Sequence, residues 1–409
     1  MSIKENETVK VQLQSLTAGL AALPEVVGQN STLAGIYRTG EDSAELFVRG
    51  ISREEYAQYA ATLGGVLHSE NVIAGNCFST RTDIVPGRTL YVGYYPTLMG
   101  GTLRLIDEPT GVLPETAPAP YERVCSTTIA QLGRRAVEIN NAPGMSYVIQ
   151  VASGEFIIVD GGPTNEDDIP ALLAYLKENA PQGKKPVVAA WLITHAHSDH
   201  MALANHFLER YVGEIELKMV GYNFPVWETV QNCHDVKGDP NRYLPMIEKF
   251  RANAEAYGAR RLILHTGQRL YFSDVTLEMV FTHEEQYPVD MPWVNHTSLA
   301  FRLITDEKTV LILGDCEKTL CQQMADIYGE ELKSDILQLT HHGVNGGCVD
   351  LYRNVDPEIC FWAISQEKYE HDPRCTGELK GHEFNGFIRD ESIRVRKHYA
   401  ASTTTVIQL

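Results

Sequence analysis

Three histidines and one aspartate fall within six residues of one short stretch. The run THAHSDH begins at the last residue of the apolar segment PVVAAWLIT and contains His195, His197, Asp199 and His200. Imidazoles and carboxylates are the ligands that zinc and similar divalent ions take from proteins. Four such side chains would be costly to bury together unless something binds them. The stretch therefore predicts a metal site.

The segments on either side of this cluster predict how it is positioned. PVVAAWLIT is typical of a strand buried on both faces, and MALANHFLERY of a helix. In α/β folds, functional sites lie where the carboxyl end of a strand leads into a helix. Side chains alternate along an extended chain, so we expect His195 and His197 to point the same way. Asp199 and His200 should then lie at the start of the helix.

The cluster resembles the T-H-x-H-x-D-H signature of the metallo-β-lactamase superfamily. Three further runs resemble motifs of the same superfamily, in the same order. FIIVDGG matches the motif that contributes Asp160, TVLILGDCE the motif that contributes Asp315, and DILQLTHHG the motif that contributes His341 or His342. The resemblance covers roughly residues 125–409. Within the superfamily, the run NHTSLAFRLI…TVLILGDCE…DILQLTHHG is most similar to the hydrolase domain of DNA-uptake competence proteins.

The resemblance implies a site for two divalent metal ions, with zinc expected and manganese or iron as alternatives. One ion would be held by His195 and His197. The other would be held by Asp199, His200 and either His341 or His342, and Asp315 would bridge the two.

One further metal-binding histidine of the superfamily, which belongs to its third motif, has two candidates in this chain. His283 directly follows a predicted strand, as a ligand should, and is favoured over His296. His296 lies only two residues before Ser298, which is closer than the family spacing suggests. A third alternative is that neither binds metal, because the competence-type relatives commonly lack this histidine.

The chemistry implied by the resemblance is hydrolysis. Two close metal ions turn a bound water into hydroxide near neutral pH. Asp199 would orient this metal-bridging hydroxide. His341 and His342 form the HH pair. The second histidine of this pair, with His342 as the catalytic candidate, would stabilise an oxyanion or the leaving group. Asp160 would fix the orientation of the ligands from behind. We expect a phosphoesterase or phosphodiesterase. The alternatives are a lactone, ester or thioester hydrolase and a non-catalytic binding scaffold.

The composition of the chain favours one class of substrate and one cellular location. The formal net charge is −18. Because contacts to nucleic acid and anionic membranes depend on Lys and Arg, this charge favours a small-molecule substrate over nucleic acid. The sequence contains no apolar run of about 18 residues, as a membrane span requires. A polar N-terminus and eight scattered cysteines predict a cytoplasmic protein.

The length of 409 residues predicts more than one domain. Strands and a helix before residue 110 indicate a small α+β domain over residues 1–110, whose role the sequence leaves open. Four prolines between Pro109 and Pro120 indicate a linker over residues 111–123. In residues 124–409, two batches of strands, each followed by helices, predict an α/β fold of the αββα sandwich type.

Overall fold

The computed structural model describes residues 17–24, 26, 30–40, 42–141, 143–286, 291–390 and 394–409. They form two compact units. The first contains the described residues up to Thr116, together with the segment His265–Arg269 and the segment that begins at Glu284. The second contains the rest of the chain. The predicted N-terminal domain starts at residues that lie outside the described ones.

The described residues of the first unit form an antiparallel sheet and two α-helices. Its strands are β1 (Thr32–Gly40), β2 (Ser43–Arg49), β3 (Val66–Ile73), β4 (Asn76–Thr82), β5 (Arg88–Tyr95) and β6 (Thr102–Pro109), in the order β1-β2-β6-β5-β4-β3. Its helices are α1 (Ala18–Ala22) and α2 (Arg53–Thr62). A capping box joins Ser52 and Glu55 at the start of α2. The predicted small α+β domain at the N-terminus is confirmed.

The second unit contains two sheets. Its strands are β7 (Thr128–Gln131), β8 (Tyr147–Gln150), β9 (Phe156–Val159), β10 (Val187–Leu192), β11 (Glu216–Leu217), β12 (Met219–Tyr222), β13 (Arg260–Ile263), β14 (Arg269–Phe272), β15 (Val275–Phe281), β16 (Ala300–Ile304), β17 (Thr309–Ile312), β18 (Ile336–Gln338), β19 (Ile359–Trp362), β20 (Lys397–Ala400) and β21 (Thr405–Gln408). One sheet has the order β13-β12-β10-β9-β8-β7-β21, with β11 beside β10. The other has the order β14-β15-β16-β17-β18-β19-β20.

The helices of this unit connect the strands. They are α3 (Arg135–Asn140), α4 (Asp168–Asn179), α5 (Ser198–Arg210), α6 (Trp227–Val230), α7 (Leu244–Ala256), α8 (Lys318–Tyr328), α9 (Val349–Val355), α10 (Gln366–His371), α11 (Pro373–Thr376) and α12 (Glu383–Ile388).

The core of the second unit lies between its two sheets. Ile157 and Leu192 of one sheet belong to the same buried cluster as Phe301, Ile312 and Ile336 of the other. Successive side chains of a strand point to opposite faces of the sheet, so every second residue of each strand points into this shared core. The αββα sandwich predicted from the sequence is confirmed.

Three further features of the structure concern the predicted linker, membrane-spanning helices and the cysteines. Residues 110–127, which include the predicted linker, contain no helix or strand. None of the helices in the described part of the chain is long and apolar enough to cross a membrane. All eight cysteines are free thiols, and most of them are buried.

Candidate metal centre

Four strands of the second unit end in the predicted site residues. Asp160 follows β9, and His195 follows β10. Asp315 follows β17, and the HH pair follows β18 in the turn Thr340–Gly343. Because β9 pairs with β10, and β17 with β18, in parallel, the carboxyl ends of each pair lie at one edge of its sheet. The predicted placement at the ends of strands therefore matches the structure.

Two carboxylates and two histidines form the tightest group. One ligand atom from each residue lies within 4.8 Å of all the others, the residues being Asp199, His200, Asp315 and His342. His200 Nε2 is 3.2 Å from Asp315 Oδ1. His342 Nε2 is 3.1 Å from Asp199 Oδ2 and 3.2 Å from Asp315 Oδ2. This donor set suits a divalent ion such as zinc.

Asp160 determines which nitrogen of His200 faces this group. The Thr194 amide and hydroxyl each donate a hydrogen bond of 2.8 Å to the Asp160 carboxylate. His200 Nδ1 lies 2.7 Å from the same carboxylate. A carboxylate can only accept here, so Nδ1 donates and the lone pair is on Nε2. Asp160 is fully buried and has a positive φ of 55°, as expected for a residue under functional constraint.

His195 and His197 are oriented in a comparable way. The Thr194 hydroxyl gives its one proton to Asp160, so at 3.2 Å it accepts from His195 Nδ1. His197 Nε2 donates to Asp235 Oδ2 at 2.7 Å. The remaining nitrogens, His195 Nε2 and His197 Nδ1, both carry lone pairs and lie 3.0 Å apart. Two lone pairs that face each other at this distance repel unless a proton or a metal ion lies between them, so these residues also fit a metal ion.

In the absence of a metal ion, the surrounding carboxylates favour protonation of two of these histidines. Burial by itself lowers the pKa of His200, but Asp315 and Asp160 raise this pKa well above its usual value. Burial likewise opposes protonation of His342, yet Asp315 and Asp199 raise its pKa to about 9. For His195, burial and the neighbouring His200 hold the pKa well below its usual value. A divalent ion that binds His200 and His342 would therefore displace protons from them, whereas His195 is already unprotonated.

Asp315 is held by two residues that the sequence prediction did not include. The Asp315 amide donates to Ser298 Oγ at 3.1 Å. The Gln338 side chain is fully buried, accepts from the Leu313 amide at 2.7 Å and donates to the Gly314 carbonyl at 3.0 Å. These bonds fix the loop after β17, so the Asp315 carboxylate is held among the histidines before any ion binds.

The two candidates for a third-motif histidine lie in other surroundings. His283 Nε2 is 3.0 Å from Asn223 Oδ1. His296 Nε2 is 3.5 Å from Thr319 Oγ1. Neither belongs to the group of ligand atoms found among the described residues. The structure therefore gives no reason to favour His283 over His296, and a ligand role for either stays a prediction.

The HH pair divides between the buried cluster and an adjoining cleft. His342 is buried, whereas the side chain of His341 is 20% exposed. His341 Nε2 is 3.7 Å from Asp315 Oδ2, and its Nδ1 is 3.3 Å from Glu317 Oε1. Both backbones have positive φ, which turns consecutive side chains in different directions. His342 therefore lies in the group of ligand atoms, whereas His341 reaches the cleft.

The cleft has a volume of about 550 Å³. It is lined by polar and aromatic side chains, including His197, Asp235, Trp293, Asn295, Glu317, Lys318, His341, Asn345, His382 and Phe384. Asp235, Asn295 and Glu317 were missed by the sequence prediction. Glu317 could have been found, because it lies two residues after Asp315 in GDCE. Asp235 belongs to no sequence motif. Its loop reaches His197 only in the folded chain.

A His/Asp cluster at the ends of strands in an αββα sandwich defines a class of metal-binding proteins. The family model described as "Metallo-beta-lactamase superfamily" matches residues 140–363. The chain belongs to this superfamily. No curated protein shows a significant match to the sequence.

Several solved structures are similar to this chain at low identity. The metallo-beta-lactamase fold protein YhfI from Bacillus subtilis is 13% identical, with a TM-score of 0.40, over 69% of this chain and 99% of its own. Zn²⁺-bound PqqB from Methylobacterium extorquens is 12% identical, with a TM-score of 0.40, over 69% of this chain and 100% of its own. CmlA, a diiron β-hydroxylase from Streptomyces venezuelae, is 11% identical, with a TM-score of 0.37, over 74% of this chain and 55% of its own.

Proposed function

We propose that the protein is a dinuclear metal-dependent hydrolase that acts on a small phosphoester. The observation that carries the proposal is the convergence of the ligand atoms of Asp199, His200, Asp315 and His342 within 4.8 Å of one another. The facing nitrogens of His195 and His197 add a second position for an ion. We take zinc as the metal, because imidazole and carboxylate ligands suit it, and manganese or iron as the alternatives.

The ions would lower the pKa of a bound water and neutralise charge that develops on substrate oxygens. The side chains of the chain supply the rest. Asp199 is partly exposed, and its carboxylate orients the attacking water. His341 reaches the cleft with Glu317 behind it, so it replaces His342 as the residue that stabilises an oxyanion or the leaving group. Asp160 holds His200 in the orientation that binds metal.

Size and charge favour a small substrate over a nucleic acid. A cleft of about 550 Å³ is within the range of small-molecule sites. Its lining includes the carboxylates of Asp235 and Glu317, and Lys318 is its one permanently charged cation among the described residues. The net charge of −18 further opposes a polyanionic substrate. We therefore propose a small-molecule substrate. The eight free cysteines support the separate proposal of a cytoplasmic protein.

A phosphoester is preferred to a carbon-centred ester for two reasons. A dinuclear site suits in-line displacement at phosphorus, since one ion can act on the attacking oxygen and the other on the leaving oxygen. The sequence resemblance to the hydrolase domain of DNA-uptake competence proteins favours the same bond type. A lactone, ester or thioester is the alternative for the same side chains.

Turnover of simple chromogenic substrates tests the proposal. The zinc-loaded protein is assayed with bis(p-nitrophenyl) phosphate, p-nitrophenyl phosphate and a lactone, beside the Asp199→Ala variant. We expect turnover of a phosphoester, and loss of this turnover in the variant with an unchanged circular dichroism spectrum.

The other outcomes are equally informative. Turnover of the lactone alone would mean that the hydroxide attacks carbon rather than phosphorus. Equal turnover by the wild type and Asp199→Ala would contradict the proposed mechanism. A zinc-loaded protein that hydrolyses none of the substrates would support a binding scaffold.

A further inference from the structure

A short hydrogen bond of 2.7 Å next to the candidate metal centre joins His197 Nε2 to Asp235 Oδ2. We infer that Asp235 is a positioning residue: by accepting the Nε2 proton of His197, it directs the Nδ1 lone pair of that histidine towards the metal. The inference rests on the proposed function, because it concerns the same site.

The geometry defines the direction of this hydrogen bond. His197 Nε2 is 2.7 Å from Asp235 Oδ2, and His197 Nδ1 is 3.0 Å from His195 Nε2. An ionised carboxylate has no proton to give, so the proton lies on Nε2. Nδ1 then faces His195 Nε2 with its lone pair. A carboxylate that bonds the distal nitrogen of a ligating histidine both fixes its tautomer and strengthens it as a ligand.

Asp235 is placed behind His197 rather than among the ligands. The two nitrogens of an imidazole lie at different edges of the ring, so a carboxylate bound to Nε2 is on the opposite side from Nδ1. As long as the 2.7 Å bond is kept, Asp235 therefore does not share an ion with Nδ1 of His197.

Backbone contacts hold Asp235 in this place. Its carboxylate also accepts from the Val294 amide, at 3.2 Å to Oδ2. The two residues before it are fixed to the same segment, since Cys233 Sγ donates to the Met291 carbonyl at 3.0 Å and the His234 amide donates to the Pro292 carbonyl at 2.7 Å. The carboxylate is therefore oriented independently of His197, as a positioning residue requires.

The test compares three substitutions in the full chain. Asp235→Ala removes the acceptor, and Asp235→Asn keeps an acceptor oxygen but removes the charge. Asp239→Ala is the matched control, because this aspartate is in the same loop and bonds Asn241 instead. In the metal-free protein at pH 8, ¹⁵N NMR of the histidine rings reports the tautomer of His197. Competition with a chromogenic chelator then reports the affinity for Zn²⁺ alone.

We expect the wild type and Asp239→Ala to carry the His197 proton on Nε2. Asp235→Ala should give a mixture of tautomers and bind one of its zinc ions about 10–100-fold less tightly. Asp235→Asn should lie between the two. A residue that only stabilised the loop would lower the melting temperature without changing the tautomer.

The inference and the proposed function fail in different ways. If Asp235→Ala keeps the wild-type tautomer and zinc affinity, the inference is wrong while the metal site stands. If the wild type binds no zinc, the proposed function is wrong, and the metal-free NMR spectra still decide whether Asp235 sets the tautomer of His197.

Discussion

At the scale of single residues, the centre depends on side chains that do not themselves bind metal. Asp160 and Thr194 determine which nitrogen of His195 and of His200 carries the lone pair. Because a histidine that rotates or changes tautomer loses its ligand function, these neighbours matter nearly as much as the ligands. We therefore expect substitution of a ligand to lower activity more than substitution of the residue that supports it.

Substitution of Asp160 tests this order. Asp160→Ala should lower kcat/KM roughly 10–100-fold, because His200 loses the acceptor of its Nδ1 proton. The matched control is Asp167→Ala, which removes an exposed aspartate paired with Arg135 and should leave kcat/KM unchanged. Initial-rate kinetics with the best chromogenic phosphoester provides the measurement. Full activity in Asp160→Ala would contradict the account of the supporting carboxylate.

At the scale of elements, the turn after β18 separates the two histidines of the HH pair. This turn ends at Gly343, which has a φ of +79°. A Cβ atom at this position would lie only 2.2 Å from Cε3 of Trp362. The turn is thus held against the Trp362 ring, and the close approach fixes the directions of His341 and His342.

A methyl group at Gly343 should therefore displace the turn. Gly343→Ala combines an unfavourable φ with a steric clash, so we expect the free energy of unfolding to fall by about 2 kcal/mol or more, together with most of the activity. Gly386→Ala is the control, since its Cβ would meet no atom closer than 3.8 Å. Urea denaturation and kinetics on both variants measure the effect. Wild-type stability in Gly343→Ala would show that the turn is not held in this way.

The sequence predicted elements well where apolar residues run without interruption. The buried strand before His195 and the helix after His200 were expected and are present as β10 and α5. The helices α10, α11 and α12 were missed, because at four to six residues each they are too short to show a helical period. Asp235 was missed for a different reason, since its partnership with His197 spans 38 positions.

At the scale of the whole molecule, the division into units was only partly foreseen. The sequence predicted an N-terminal α+β domain, but nothing in its pattern indicated that His265–Arg269 and the segment from Glu284 belong to the same unit. Contacts between buried charged side chains hold these segments together within the unit. Arg104 is fully buried and forms salt bridges with Glu284 and Glu285, and His265 Nδ1 lies 2.8 Å from Glu284.

This charge cluster predicts a pH dependence of stability. Burial disfavours a charged His265, but Glu284 and Glu108 raise its pKa to about 10. An unfolded histidine has a pKa of about 6.5. The stabilisation is therefore complete below pH 6.5 and is lost as the pH rises through 10. We expect His265→Gln to lower the melting temperature at pH 6.5 and to have little effect above pH 10.

The melting temperatures of both proteins, measured from pH 6 to 10.5, provide the test. Only the difference between the two proteins is interpreted, because other groups titrate over the same range. A difference that stays constant with pH would mean that His265 is not a buried cation.

The metal content of the purified full chain tests the central claim most directly. Inductively coupled plasma mass spectrometry on protein prepared without a tag or chelator measures the number and identity of bound ions. We expect about two divalent ions per chain, and substantially fewer in a variant that carries both His200→Ala and Asp315→Ala. A wild-type protein that contains no divalent metal, and takes up none from a zinc buffer, would contradict the claim.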